Sequence, residues 1–143
     1  MRSRHVVIVL LCLAATLGCR APAKPISGVF ASPGATLELL AGKRFVLQIG
    51  ADWIEGETSS MSTEVMLYPK SFNGKDKEAL DLWSIGEAGQ GRRGMDPYLI
   101  TSIYEPVQLK VGEGGAILTV VEKPNAGGKA SPIYNGLGAL TKR

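Results

Sequence analysis

The chain has 143 residues, with 16 Lys and Arg, 13 Asp and Glu, 18 Gly and 8 Pro. Setting aside Arg2 and Arg4 leaves fourteen basic side chains against thirteen acidic ones, so charge gives no reason to expect nucleic acid as a partner. Cys12, Cys19 and the one histidine, His5, all fall within the first 19 residues, which leaves the remainder without a disulfide, a Cys or His zinc site, or a Ser-His-Asp or Cys-His catalytic set.

The first predicted element is an export signal. Arg2 and Arg4 precede an apolar run from Val6 to Leu17. That run is too short to cross a hydrocarbon core, which takes ~20 helical residues, but it has the length of a signal-peptide h-region. It ends in Thr16-Leu17-Gly18-Cys19. This ending resembles the lipobox of bacterial lipoproteins, with Gly18 and Cys19 in the matching places and Thr16 where Leu is usual. The resemblance implies cleavage before Cys19, which becomes the diacylated (palmitate-type) first residue of the mature protein. Two acyl chains contribute on the order of 20 kcal/mol of membrane affinity, at ~0.8 kcal/mol per buried CH₂. Arg20 stands where enterobacterial lipoproteins retained in the inner membrane carry Asp, so the resemblance points to the outer membrane, at its periplasmic face or the cell surface. Ala21-Pro22-Ala23 fits the alternative of ordinary cleavage and secretion, with release before Lys24. Residues 20–25, rich in Pro and Ala, read as a short extended tether. Residues 26–143 then form a single domain.

β-pattern follows. A short run from Ile26 to Phe30 ends at Ser32-Pro33-Gly34. Leu37 and Leu39 alternate with Thr36 and Glu38, and Phe45, Leu47 and Ile49 with Arg44, Val46 and Gln48. Ala41-Gly42-Lys43 between these runs is a hairpin turn. After a second turn at Gly50-Ala51-Asp52, the residues Ile54, Gly56 and Thr58 share one strand face, with Glu55 and Glu57 on the other. Ser59 to Ser62 turns the chain again. Val65 and Leu67 mark the next strand, which Pro69 is expected to stop. A short helix is predicted near 74–83, capped by Ser71 or Asn73, with Leu80 and Trp83 on one buried stripe. GEAGQGRRG, residues 86–94, reads as a surface loop. Leu99, Ile100, Ile103 and Tyr104 are read as strand. Val107, Leu109 and Val111, then Leu118 and Val120, predict a second hairpin around Glu113-Gly114-Gly115. Residues 124–132 read as a Gly-rich loop, and Tyr134 to Thr141 as a weak last strand.

Few residues suggest chemistry. Gly89 to Gly94 spells G-x-G-x-x-G, but Asp96-Pro97 follows where a dinucleotide site needs a helix. Asp52, Glu55 and Glu57 cluster near Trp53, the arrangement a carboxylate-dependent hydrolase would require. Alternating acids on a strand ordinarily form its wet face. Trp53, Trp83, Tyr98 and Tyr104, together with Tyr134, are the candidate ligand or partner anchors, each combining a large apolar area with a polar tip; the alternative is that most of them simply fill the core. No cofactor or metal is expected.

One layout spans the domain: Gly28-Val29-Phe30, Thr36-Leu37-Glu38-Leu39, Gly42, Phe45 and Leu47, Gly56, Val65, Leu67, Pro69 and Asn73-Gly74, closing on Thr141-Lys142. It resembles small β-rich bacterial lipoproteins with lipocalin-like domains. The expected fold is an all-β antiparallel meander, a small lipocalin-like barrel or half-barrel of about six to eight strands with one short helix. The expected role is that of a membrane-anchored, non-enzymatic module of the cell envelope that binds a partner protein or an apolar ligand. The alternatives are a structural accessory subunit of an envelope assembly, or a carboxylate-dependent hydrolase.

Overall fold

The computed structural model describes residues 24–80, 102–121 and 133–143. Cys19, the signal, most of the tether, Trp83, Tyr98 and the stretches 86–94 and 124–132 lie outside the described residues. Eight strands follow in chain order: β1 (Gly28–Ser32), β2 (Ala35–Leu40), β3 (Arg44–Ile49), β4 (Asp52–Ser60), β5 (Glu64–Phe72), β6 (Val107–Val111), β7 (Ile117–Val120) and β8 (Ala139–Lys142). Each is antiparallel to the next, and β8 returns to pair with β1. The sheet is therefore a closed up-and-down barrel of the small lipocalin-like kind, with no free edge strand.

Period-two patterning builds the barrel. Phe30 pairs with Leu37, Leu37 with Leu47, Leu47 with Ile54, and Ile54 with Phe72, so one inward row crosses five strands. All five side chains are buried. On the other side of the ring, Val65 faces Leu109 and Leu118 faces Leu140. A barrel of eight strands is just wide enough for its own side chains to fill, and here they do. Each large aliphatic or aromatic residue so buried contributes about 1.5–3 kcal/mol.

The meander gives the barrel two unlike ends. At the entry end, β1 begins and β8 finishes, and the turns 41–43, 61–63 and 112–116 reverse the chain. At the far end are the turns 33–34 and 50–51, and there the two long connections leave β5 and β7 and rejoin the barrel at β6 and β8. The long connections lay Leu80, Ile103, Tyr134 and Leu137 into the same core, closing the far mouth with apolar side chains.

Several local expectations differ from the structure. β5 runs on through Pro69 to Phe72. The register shifts between Glu55 and Gly56, so that Gly56 faces Pro69 while Glu55 faces Ser71. A proline has no N–H for the ladder, and a bulge is one of the few interior places where none is needed. β4 extends to Ser60, and the turn begins only at Met61. The predicted helix is present as helical residues 77–80, but its cap is Asp76, whose Oδ1 accepts from Ala79 N at 2.8 Å. Asn73 is occupied elsewhere. Ser102 and Ile103 are helical rather than extended. Leu99, Ile100, Ile103 and Tyr104 recur at four-residue spacing, which is helical periodicity. Tyr134 precedes a 3₁₀ turn, Asn135–Leu137, and only Ala139–Lys142 forms the last strand.

Candidate functional site

Among the described residues, the large apolar side chains left exposed are Trp53, Met61, Tyr68 and Ile117. Trp53 is the largest. It is 42 % exposed at the far end, as the second residue of β4. Its outward placement follows from the alternation that turns Ile54 inward.

The backbone beneath Trp53 is held on both sides by one residue. Asn73 Oδ1 accepts from Trp53 N at 2.8 Å, and Asn73 N donates to Trp53 O at 2.8 Å. Asn73 Nδ2 donates to Asp52 Oδ1 at 2.8 Å. Asn73 sits at φ 49°, in the left-handed region that asparagine tolerates better than most residues. One amide side chain thus extends the β4–β5 ladder past Phe72 and fixes the strand that carries the indole. A large aromatic on a backbone fixed in this way loses little further backbone entropy if it is covered, with only its side-chain rotamer left to order.

The other predicted aromatics are placed differently. Tyr104 is half-buried against the core, and its hydroxyl donates to Lys75 O at 2.8 Å. Tyr134 is buried, and its hydroxyl donates to Ile103 O. Burial, with a smaller contribution from nearby Tyr104, pushes the Tyr134 phenol well above its ordinary range. Both tyrosines tie the long connections over the far mouth. Trp83 and Tyr98 lie outside the described residues.

Of the acids suggested by sequence, two share a depression and one does not. Asp52 turns to Asn73. Glu55 and Glu57 line a depression of about 240 Å³ on the outer flank with Arg44, Gly56, Lys70 and Ser71. Glu57 faces Arg44 across β3 and β4. This floor carries two acids and two cations, so it has no net charge preference. A crevice of about 30 Å³ lies between Ser102, Val107, Val120 and Tyr134. Both are smaller than the ~300–1,000 Å³ of small-molecule sites. Among the described residues no group of three or more His, Cys, Asp or Glu is arranged to hold a metal ion. Likewise, none of their helices is long and apolar enough to cross a membrane.

Sequence reasoning singled out Trp53 but missed Asn73. The Asn73-Gly74 pair reads as turn chemistry, and nothing in the sequence tells that its side chain reaches back twenty residues. Met61, Tyr68 and Ile117 were also missed, because a lone apolar residue in a turn, on the wet face of a strand or at a strand end carries no pattern. No family model, no curated protein and no solved structure matches the chain.

Proposed function

We propose that the protein is an envelope lipoprotein, held at a membrane by acylated Cys19, whose barrel is a non-enzymatic module for binding another envelope protein. The observation that carries this reading is the Trp53 indole, exposed on a backbone clamped by Asn73. It stands at the end of the barrel opposite the point where the chain enters from the tether. An anchor placed there meets partners away from the membrane surface.

Two facts favour a protein over an apolar small molecule. Phe30, Leu37, Phe45, Leu47, Leu109 and Leu140 take the space a lipocalin-like ligand would fill. The two depressions found among the described residues are too small or too open to enclose one.

The test is site-specific photo-crosslinking in intact envelopes. A photoreactive residue at position 53 is expected to give a discrete protein adduct, absent when the same residue is placed at Gln48, its neighbour on β3. In a binding assay with the partner so recovered, Trp53→Ala is expected to lower affinity by at least about tenfold, the size of an interface hot spot. Asn73→Gly keeps the left-handed backbone and its N–H bond to Trp53 O but deletes the side-chain half of the clamp, and is expected to weaken binding less. Equal adducts from both positions, or unchanged affinity in Trp53→Ala, would remove Trp53 from this role.

A further inference from the structure

The entry end of the barrel has a character of its own. Lys24 leads into β1, Lys43 and Arg44 sit at the β2–β3 turn, Lys110 near the end of β6, and Lys142 and Arg143 at the end of β8. All six are exposed. The acids on this half of the barrel are Glu38, which pairs with Val29 near the start of β1, Glu57, Glu64 and Glu113, and Glu64 Oε2 accepts from Gln108 Nε2 at 2.6 Å. On the far half the balance reverses, with Asp52, Glu55, Asp76, Glu78 and Glu105 against Lys70, Lys75 and Lys77. A molecule nearly neutral in total is therefore polarised along its axis among the described residues.

Two of the four exposed large apolar side chains share the basic end. Met61, 62 % exposed, is in the β4–β5 turn, and Ile117, 42 % exposed, opens β7. The turns that carry them are braced against their neighbours. Val111 N donates to Thr63 O at 2.9 Å, Lys142 N to Ala116 O at 2.8 Å, and Thr58 N to Lys43 O at 2.8 Å. Lys142 lies over the Phe30 ring, with Nζ 5.9 Å from its centre. The result is a braced rim of cations with two apolar tips.

We infer that this rim is a membrane-contact face: the barrel stands on an anionic phospholipid surface, with Met61 and Ile117 entering the headgroup layer. Charge complementarity and the place where the chain enters both favour this occupant. Only a few residues separate Lys24 from the anchor at Cys19, so the tether holds this end within reach of the headgroups. Each basic residue near an anionic surface contributes an affinity factor of roughly fivefold, and the effect is screened by salt. The inference rests on the acyl anchor proposed above, and it fixes the far end, with Trp53, as the end turned toward partners.

The test uses the full-length protein, matured in its own envelope, purified in detergent and reconstituted into phosphatidylcholine vesicles with or without phosphatidylglycerol. A fluorophore is attached at Ile117→Cys or Trp53→Cys, the acylated Cys19 thiol being blocked. Quenching by headgroup-level spin-labelled lipid is then read. The expected result is strong quenching at position 117 and little at 53, larger with phosphatidylglycerol and reduced by high salt. Lys43→Glu with Lys110→Glu is expected to cut the quenched fraction several-fold while the protein stays with the vesicles. Vesicle-bound protein quenched at neither position, or equally at both, overturns the orientation and leaves the anchor intact. Protein that fails to associate with vesicles, and whose mass shows no acyl chains, overturns the anchor and the orientation with it.

Discussion

Tyr134 shows how one side chain couples burial to pH. Its ring is buried among the residues that close the far mouth, and its hydroxyl reaches Ile103 O. Removing the hydroxyl in Tyr134→Phe leaves that carbonyl without its partner, at a cost of about 1–3 kcal/mol. Burial disfavours the phenolate, so the folded state holds the proton more tightly than the unfolded chain, whose tyrosine titrates near pH ~10. The stabilisation tied to that proton is complete below about pH 10 and is lost as pH rises above it. Urea unfolding is therefore expected to show Tyr134→Phe less stable than the parent at pH 7, with the gap narrowing by pH ~11. A gap that does not change across this range would place the phenol in a wetter setting. The sequence allows Tyr134 as a core-filling aromatic at the start of a weak strand, and its burial agrees, but the partner of its hydroxyl was not legible. Its position depends on Ile103, thirty-one residues away, and no local pattern records that contact.

At the scale of the element, alternation was legible and interruption was not. Leu37, Leu39, Phe45 and Leu47 announce β2 and β3 because a half-buried strand requires inward residues at every second place. Pro69 misled, since the feature that accommodates it is a bulge in which the partner strand takes part. Gly56 is that partner. A Cβ built on Gly56 lies 2.1 Å from Tyr68 O and 2.8 Å from the Phe45 ring. Backbone on one side and a core ring on the other leave no direction in which to yield. Gly56→Ala is expected to be among the most damaging single-methyl additions in the chain, costing about 3 kcal/mol or more, whereas Gly34→Ala meets nothing within 4 Å and suffers only from its backbone conformation. Thermal unfolding of the two variants checks the contrast. Equal melting points would mean that β4 and β5 separate more readily than their register implies. The helix cap shows the same limit. Ser71, Asn73 and Asp76 are all capping types, and only the bulged course of β5 decides that Asn73 serves Trp53 while Asp76 caps the helix.

For the whole molecule, the sequence pointed to a small β-meander and left closure open, because closure is a pairing between the first strand and the last. Both seams of β8 are short. Phe30 and Ala31 are the β1 residues that pair with β8, helped by Arg143 N donating to Val29 O at 2.9 Å, whereas β2 and β3 pair along their whole length. Amide exchange is expected to be faster across β8 than across β2 and β3, since local opening follows the weakest joint. Uniform protection around the ring would contradict this. The polarity of the barrel was equally hidden in the sequence, where near-equal numbers of acids and bases suggest a neutral surface. Strand direction sorts them, sending Lys43, Lys110 and Lys142 to one end and Asp52 and Asp76 to the other. The proposed orientation and the proposed use of Trp53 both assume that the chain is held at Cys19. Intact-mass measurement of protein extracted from its native membrane tests that assumption most directly. The expected mass is that of a chain beginning at Cys19 with acyl groups attached, a species that the Cys19→Ala variant does not form. An unacylated chain beginning at Lys24 and recovered from the soluble fraction would contradict it.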